Sequence, residues 1–204
     1  MLRTPLIVAM VIACSSAMAI GPNQIKRTLD PALSPDGSTL AFIWQGDLFT
    51  VPAQGGEARR LTINSANESF PIWTKDGKSI VFASNRFGSN DLFVMDADGP
   101  DLRRINFESS DEYPTAVSAD GMIYGYTNAW GRLDLFRVSI NGGDLVRITG
   151  GPLEMEYYAD VSPDGKTVIY NTAGSAGHWR KPGHRGANTG EIWKAQATAP
   201  LTGM

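Results

Sequence analysis

The only two histidines of the chain, His178 and His184, fall in one short stretch beside Trp179, Arg180, Lys181 and Arg185. Three chemistries are conceivable for such a cluster. Nucleophilic hydrolysis requires a Ser, a His and an acid brought together, yet the chain has no Gly-x-Ser-x-Gly elbow and no histidine elsewhere, so no catalytic residue is expected. Metal ligation by His178 and His184 is disfavoured because their spacing is not one helical turn and Pro182-Gly183 between them breaks any helix; no metal and no cofactor is expected. The third chemistry is peptide recognition. Guanidinium groups clamp a carboxylate in two-pronged fashion and an indole offers a flat apolar surface, which makes Trp179, Arg180, His184 and Arg185 the candidate peptide-binding residues. A loop that only packs against a neighbouring blade or subunit is the competing reading. A fourth candidate, Asp96-Ala97-Asp98-Gly99-Pro100-Asp101, alternates carboxylates as a calcium loop does but lacks the later bidentate Glu and falls where an ordinary turn is expected.

The elements that carry this cluster repeat. Ser162-Pro163-Asp164-Gly165, followed by an apolar run, has earlier versions at Ser34-Pro35-Asp36-Gly37, Thr74-Lys75-Asp76-Gly77 and Ser118-Ala119-Asp120-Gly121, so that Gly37, Gly77, Gly121 and Gly165 are 40, 44 and 44 residues apart. Ser or Thr first, Pro second and Gly fourth suit a type I turn, which assigns Asp36, Gly37, Asp76, Gly77, Asp120, Gly121, Asp164 and Gly165 a structural role. The β-branched runs that follow, residues 39–44, 79–83 and 167–170, read as central strands packed on both faces. Each unit then repeats an anchor: Asp47-Leu48-Phe49, Asp91-Leu92-Phe93, Asp134-Leu135-Phe136 and Glu191-Ile192-Trp193. The acids are expected to accept backbone N–H groups near strand ends. A Gly-bearing turn leads to a fourth strand holding Arg60, Arg104 or Arg147, cations expected to blunt and solubilise an outer edge.

Four short strands per period of about forty residues make a propeller blade. The fold class is therefore all-β, a β-propeller of four-stranded antiparallel blades, with four blades at about 30–63, 68–107, 112–149 and 156–202. Residues 25–29, within a segment 20–29, are expected to form a closing strand. In blade four the distance from Gly165 to the acidic anchor is 26 residues, against ten in blade one, and the excess is the Gly-rich, basic stretch 171–190 that contains the candidate binding residues. Long loops on rigid scaffolds are where binding residues gather.

Composition excludes several function classes. Net charge is −3 with 42% hydrophobic residues, which fits a turn-rich β protein and offers no basic stripe for nucleic acid. The single cysteine, Cys14, provides neither a disulfide framework nor a zinc site. Residues 1–19 have the layout of a signal peptide: Arg3, an apolar core over 6–13 and Ala17-Met18-Ala19 as the cleavage site. That core is too short to span a bilayer. Val11-Ile12-Ala13-Cys14 offers a rival processing site, with Cys14 as a lipid anchor. A periplasmic or secreted location follows.

These residues carry a family resemblance. Ser-Pro-Asp-Gly before a central strand resembles the TolB-type propeller repeat over nearly all of the chain after residue 19, and Tyr170-Asn171-Thr172, His178-Trp179-Arg180-Lys181, His184-Arg185-Gly186 and Gly190-Glu191-Ile192-Trp193 resemble a blade of the tricorn propeller. The resemblance implies an N-terminal propeller of a tricorn-type serine peptidase that binds or gates peptide or protein substrates, with catalytic serine and histidine in domains that this sequence does not match. It also implies a ring of six or seven blades, of which four are here, and partners that are peptides, proteins, further domains of the same chain or a second copy. The alternatives are a non-catalytic TolB-like periplasmic scaffold and the propeller of a prolyl-oligopeptidase-like enzyme.

Overall fold

A computed structural model describes residues 25, 27–99, 101–150, 154–174 and 191–197. Fifteen strands and no helix make up these residues, arranged as four antiparallel sheets in chain order. The first sheet holds β1 (Leu29–Leu33), β2 (Thr39–Trp44), β3 (Asp47–Pro52) and β4 (Arg59–Arg60). The second holds β5 (Glu68–Trp73), β6 (Ser79–Phe87), β7 (Ser89–Asp96) and β8 (Arg103–Arg104). The third is β9 (Glu112–Val117), β10 (Met122–Thr127), β11 (Asp134–Ser139) and β12 (Val146–Arg147), and the fourth, with three described strands, is β13 (Glu154–Val161), β14 (Thr167–Gly174) and β15 (Glu191–Gln196). This is the propeller architecture read from the repeats. Leu29 belongs to β1, opposite Ile43, and the end of blade four, which the expected closing strand would complete, lies outside the described residues.

Each first hairpin is built by its turn. The N–H of Gly37, Gly77, Gly121 and Gly165 donates to the carbonyl of Ser34, Thr74, Ser118 and Ser162 three residues back, at 2.9–3.1 Å, and the four glycines hold φ between 69° and 80°, where a Cβ is unfavourable. The Asp before each glycine locks the loop. Asp36 Oδ1 accepts from the Ser34 hydroxyl (2.6 Å) and the Ser38 N–H (3.0 Å); Asp76 and Asp164 take the same two bonds from Thr74 and Lys78, and from Ser162 and Lys166. Asp120 accepts from Ser118 alone of these.

The core lies between sheets rather than within them. Alternation along β6 sends Ile80 and Phe82 to a cluster with Ala41, Ile43 and Leu48 of the first sheet, while Val81 joins Val117, Ile123 and Phe136 of the third. A third cluster unites Tyr124, Leu135 and Ile148 with Val161, Val168 and Tyr170 of the fourth. Fully burying one such side chain is worth about 1.5–3 kcal/mol, so each sheet is stabilised chiefly by its neighbours. Side by side along the same edge of the arc run β1, β5, β9 and β13, which become the inner strands.

Candidate functional site

The inner strands share an irregularity at one place along their length. Between Leu29 and Ala32 on β1, between Ser69 and Ile72 on β5 and between Tyr157 and Asp160 on β13, two residues oppose one on the partner strand. These are β-bulges, which bend a strand and re-aim a side chain. The first bulged residue is left-handed in each case: Asp30 at φ 48°, Phe70 at 51° and Tyr158 at 52°. For Phe and Tyr this region is sparsely populated and is held only by the surroundings. On β9 the same place is taken by Pro114, whose ring fixes φ near −65°. That bulge falls instead at Thr115, and Pro114 pairs with Gly125. A Cβ on Gly125 would overlap the Tyr113 carbonyl oxygen and approach the Phe136 ring to 2.8 Å, which explains glycine in the middle of a buried strand.

Around the bulges sits an aromatic cluster. Phe70 packs edge-on against Tyr113 (ring centroids 5.4 Å apart) and Tyr126 (6.3 Å); Tyr113 stacks on Tyr126 at 5.1 Å, and Tyr158 meets Tyr126 at 5.9 Å and Tyr157 at 5.1 Å. Burial pushes the phenols of Tyr113 and Tyr126 above their ordinary value, so both are neutral hydrogen-bonding groups at physiological pH. Tyr158 is 55% exposed and presents its ring to solvent.

Two cavities run along this surface. One, of about 210 Å³, takes Asp30, Phe70, Pro114 and Tyr158 from the four inner strands; the other, of about 290 Å³, takes Leu33, Trp73, Val117 and Asp160, and the two share Ile72 and Thr115. Hydrogen bonds between blades set the walls: the Phe70 N–H donates to Asp30 Oδ2 at 3.0 Å and the Trp73 indole N–H to the Ala32 carbonyl at 2.9 Å. A larger cavity of about 550 Å³ lies between the first turns of blades one and two. Two of its carboxylates, Asp36 and Asp76, are already engaged by their own turns and the third, Asp98, is exposed, so the inner-strand surface is the better candidate.

The acids of the repeated anchor have a different partner from the one expected. Asp47, Asp91 and Asp134 pair with Arg60, Arg104 and Arg147 thirteen residues on, at 2.7 Å for Arg104 and 2.9 Å for Arg147. The backbone N–H groups nearby, of Leu48, Leu92 and Leu135, donate instead to Thr62, Asn106 and Thr149 at 2.9–3.0 Å. Backbone amides are satisfied by a neutral acceptor, leaving the charged oxygen for a charged donor. The arginines are therefore clamps across the two outermost strands rather than free edge cations.

A second set of buried acids joins consecutive blades. Glu112, fully buried, accepts from Asn106 (2.6 Å) and Ser110 (2.5 Å) in the linker after β8 and from Thr127 (3.0 Å) on β10; burial pushes its carboxyl up. Glu68 accepts from Asn64 (2.7 Å) and pairs with Arg86 (2.8 Å) in the same way. The 44-residue spacing of Glu68, Glu112 and Glu156 was a signal for this role.

The candidate peptide-binding residues Trp179, Arg180, His184 and Arg185 lie outside the described residues. Asp30, Phe70 and Tyr158, which line the inner cavity, were not among the residues singled out from sequence. Among the described residues no group of three or more His, Cys, Asp or Glu side chains is placed to hold a metal ion, and no helix is long and apolar enough to cross a membrane.

Comparison with known proteins bears on the whole arc. The sequence model of the family described as the tricorn protease N-terminal beta propeller domain matches residues 28–201. The uncharacterized peptidase YuxL of Bacillus subtilis (strain 168) is 33% identical over 157 residues, a match that covers 72% of this chain and 22% of that protein. Among solved structures, a putative TolB from Agrobacterium tumefaciens superposes with a TM-score of 0.64 at 23% identity, covering 83% of this chain and 67% of that one. The tricorn protease superposes with a TM-score of 0.61 at 22% identity, covering 82% and 17%. The chain spans between 15% and 50% of the length of the curated relatives it matches.

Proposed function

We propose, for a chain that belongs to the family of tricorn protease N-terminal β-propeller domains, the role of an exported module that binds or gates peptide or protein substrates on its inner-strand surface. Catalysis belongs, in this reading, to a tricorn-like serine peptidase activity carried by residues other than those of this chain. The observation that supports it is the cavity with walls from all four inner strands, apolar and aromatic, with backbone bulges aimed into it. Small apolar clefts with few polar groups are the usual form of a binding site. Export is supported by Arg3, the apolar core and Ala17-Met18-Ala19.

The test uses a dye-labelled peptide rich in Leu and Phe and fluorescence anisotropy with the 204-residue chain. Saturable binding is expected, and Thr115→Trp, which fills both cavities from a half-buried position, abolishes it while the circular dichroism of the fold is kept. Absence of saturable binding, or indifference to Thr115→Trp, overturns the reading. A non-catalytic, TolB-like scaffold is favoured by the likeness to the Agrobacterium structure, most of whose length is covered. Peptide hydrolysis by the complete gene product separates the two, since a scaffold binds without turnover.

A further inference from the structure

We propose that the inner cavity of about 210 Å³ is a subsite for a primary ammonium group flanked by an apolar side chain, with Asp30 as the counter-ion. The proposal rests on the peptide-binding reading and names the chemistry that the site selects. Its volume is below that of a pocket for a whole small ligand, so it suits one side chain or one chain terminus. Asp30 is the only charged residue in its lining, and the remainder includes Phe70, Pro71, Pro114 and Tyr158. No cation pairs with Asp30 among the described residues; the ion pairs there belong to Asp47, Glu68, Asp91 and Asp134. A partly buried carboxylate such as Asp30 attracts a cation more strongly than one on open surface. The exposed ring of Tyr158 adds the attraction of a π face for the same charge.

Geometry favours ammonium over guanidinium. Asp30 Oδ2 accepts the Phe70 N–H at 3.0 Å, which orients the carboxylate and occupies one of its two oxygens. A planar guanidinium prefers both oxygens at once, whereas an ammonium is a compact point charge that one oxygen satisfies. The left-handed backbone at residue 30 is one that Asp tolerates better than most residues, while Phe70 and Tyr158 adopt it against their preference. Strain of that kind concentrates where side chains are positioned for contact.

Two sources supply this chemistry, a peptide amino terminus and a lysine side chain. Three peptides of one apolar sequence distinguish them: one with a free amino terminus, one acetylated, and one acetylated but carrying an internal lysine. Binding to the full chain is followed by fluorescence anisotropy with the dye at the carboxyl end. At least one cationic peptide is expected to bind about ten-fold more tightly than the acetylated, lysine-free peptide, and which one does so identifies the source. Asp30→Asn keeps the acceptor for the Phe70 N–H and the tolerance of a left-handed backbone; it is expected to erase the preference and leave the acetylated peptide unaffected. Should that variant misfold, salt provides the second measurement, because the preference must shrink as ionic strength rises. Equal binding of all three peptides, or a preference that survives Asp30→Asn or high salt, overturns the ammonium site while peptide binding itself stands. Failure of every peptide to bind, with Thr115→Trp silent, removes the underlying reading as well.

Discussion

Replacing Arg104 by Met tests whether the repeated Asp–Arg pairs hold the blades together. Asp91 is fully buried and only 20% of the Arg104 side chain is exposed, so water cannot replace the guanidinium once it is gone. The second oxygen of Asp91 is already buried without a hydrogen-bond partner among the described residues, which leaves the carboxylate dependent on this one donor. Stranding a buried charge costs about 3–5 kcal/mol, which for a chain of this length lowers Tm by roughly 6–20 °C. The guanidinium also lies over the rings of Phe87 and Phe107, 4.6 Å from each centroid, so Met removes these contacts together with the ion pair, and a double variant with Asp91→Asn separates the two effects. Arg60→Met is the internal control: the Arg60 side chain is 43% exposed, solvent screens the pair, and about 1 kcal/mol or less is expected. Urea unfolding followed by circular dichroism measures both. Adding Asp91→Asn to Arg104→Met should recover at least half of the loss, because the uncompensated charge is gone. The sign with pH follows from burial, which pushes the Asp91 carboxyl up. Its protonated form is favoured in the fold, so the stability that this group contributes is present at low pH and lost as pH rises through the raised value. Without Arg104 nothing opposes that rise, and the deficit of Arg104→Met against the parent must narrow on acidification. A loss within about 0.5 kcal/mol, typical of surface changes, or a double variant as damaged as the single one, would refute the reasoning.

Gly125→Ala drives a Cβ into the Tyr113 carbonyl and the Phe136 ring, and is expected to destabilise by about 3 kcal/mol or more in the same urea assay. Asp36 is held down to about 2 by hydrogen bonds, first from the Ser34 hydroxyl. Its carboxyl signal in an NMR titration should therefore move only near that pH, and the stability it contributes, present above the unfolded value, should fall away as pH drops toward 2; Ser34→Ala should shift the titration upward. Expression in a Gram-negative host should yield a chain beginning at Ile20 by intact mass. A lipid-modified Cys14 would point to the rival processing site, and an uncleaved cytoplasmic chain would exclude both.

What could be read in advance was what is local. Ser34 to Gly37 and its three counterparts close their hydrogen bonds within a few residues, and Thr39–Trp44 follows as a strand with the bounds expected of it. The Asp47–Arg60 relation was also written in the residues, since the same separation of thirteen recurs at Asp91–Arg104 and Asp134–Arg147. Reading the acid as an acceptor of backbone N–H groups and the base as a free edge cation hid it. The inner cavity was a different matter. Nothing in the residue type of Phe70 or Tyr158 announces a left-handed backbone; that conformation comes from the bulge opposite Phe82 and Tyr170 and from the blade packed alongside. The counterpart at Pro114 lacks it altogether, so a repeat-by-repeat comparison blurs the pattern.

Glu68 and Glu112, which open β5 and β9, draw partners from the linker of the preceding sheet: Asn64 follows β4, and Asn106 and Ser110 follow β8. The sheet and the smallest self-contained segment of chain are thus offset by one strand. For rearrangement of such genes this offset sets where a seam can fall. Segments exchanged or duplicated between one Asp-Gly turn and the next, for instance from Gly77 to Gly121, carry Asn106, Ser110 and Glu112 together and rely on the neighbouring segment for the contact that Thr127 supplies to Glu112 and the one that Glu68 supplies to Arg86. A seam at residue 109 separates Glu112 from Asn106 and leaves the carboxylate with Ser110 and Thr127 alone. Lengthening or shortening of the ring is accordingly expected to proceed from turn to turn, with the visible blade as a poor guide to the inherited unit.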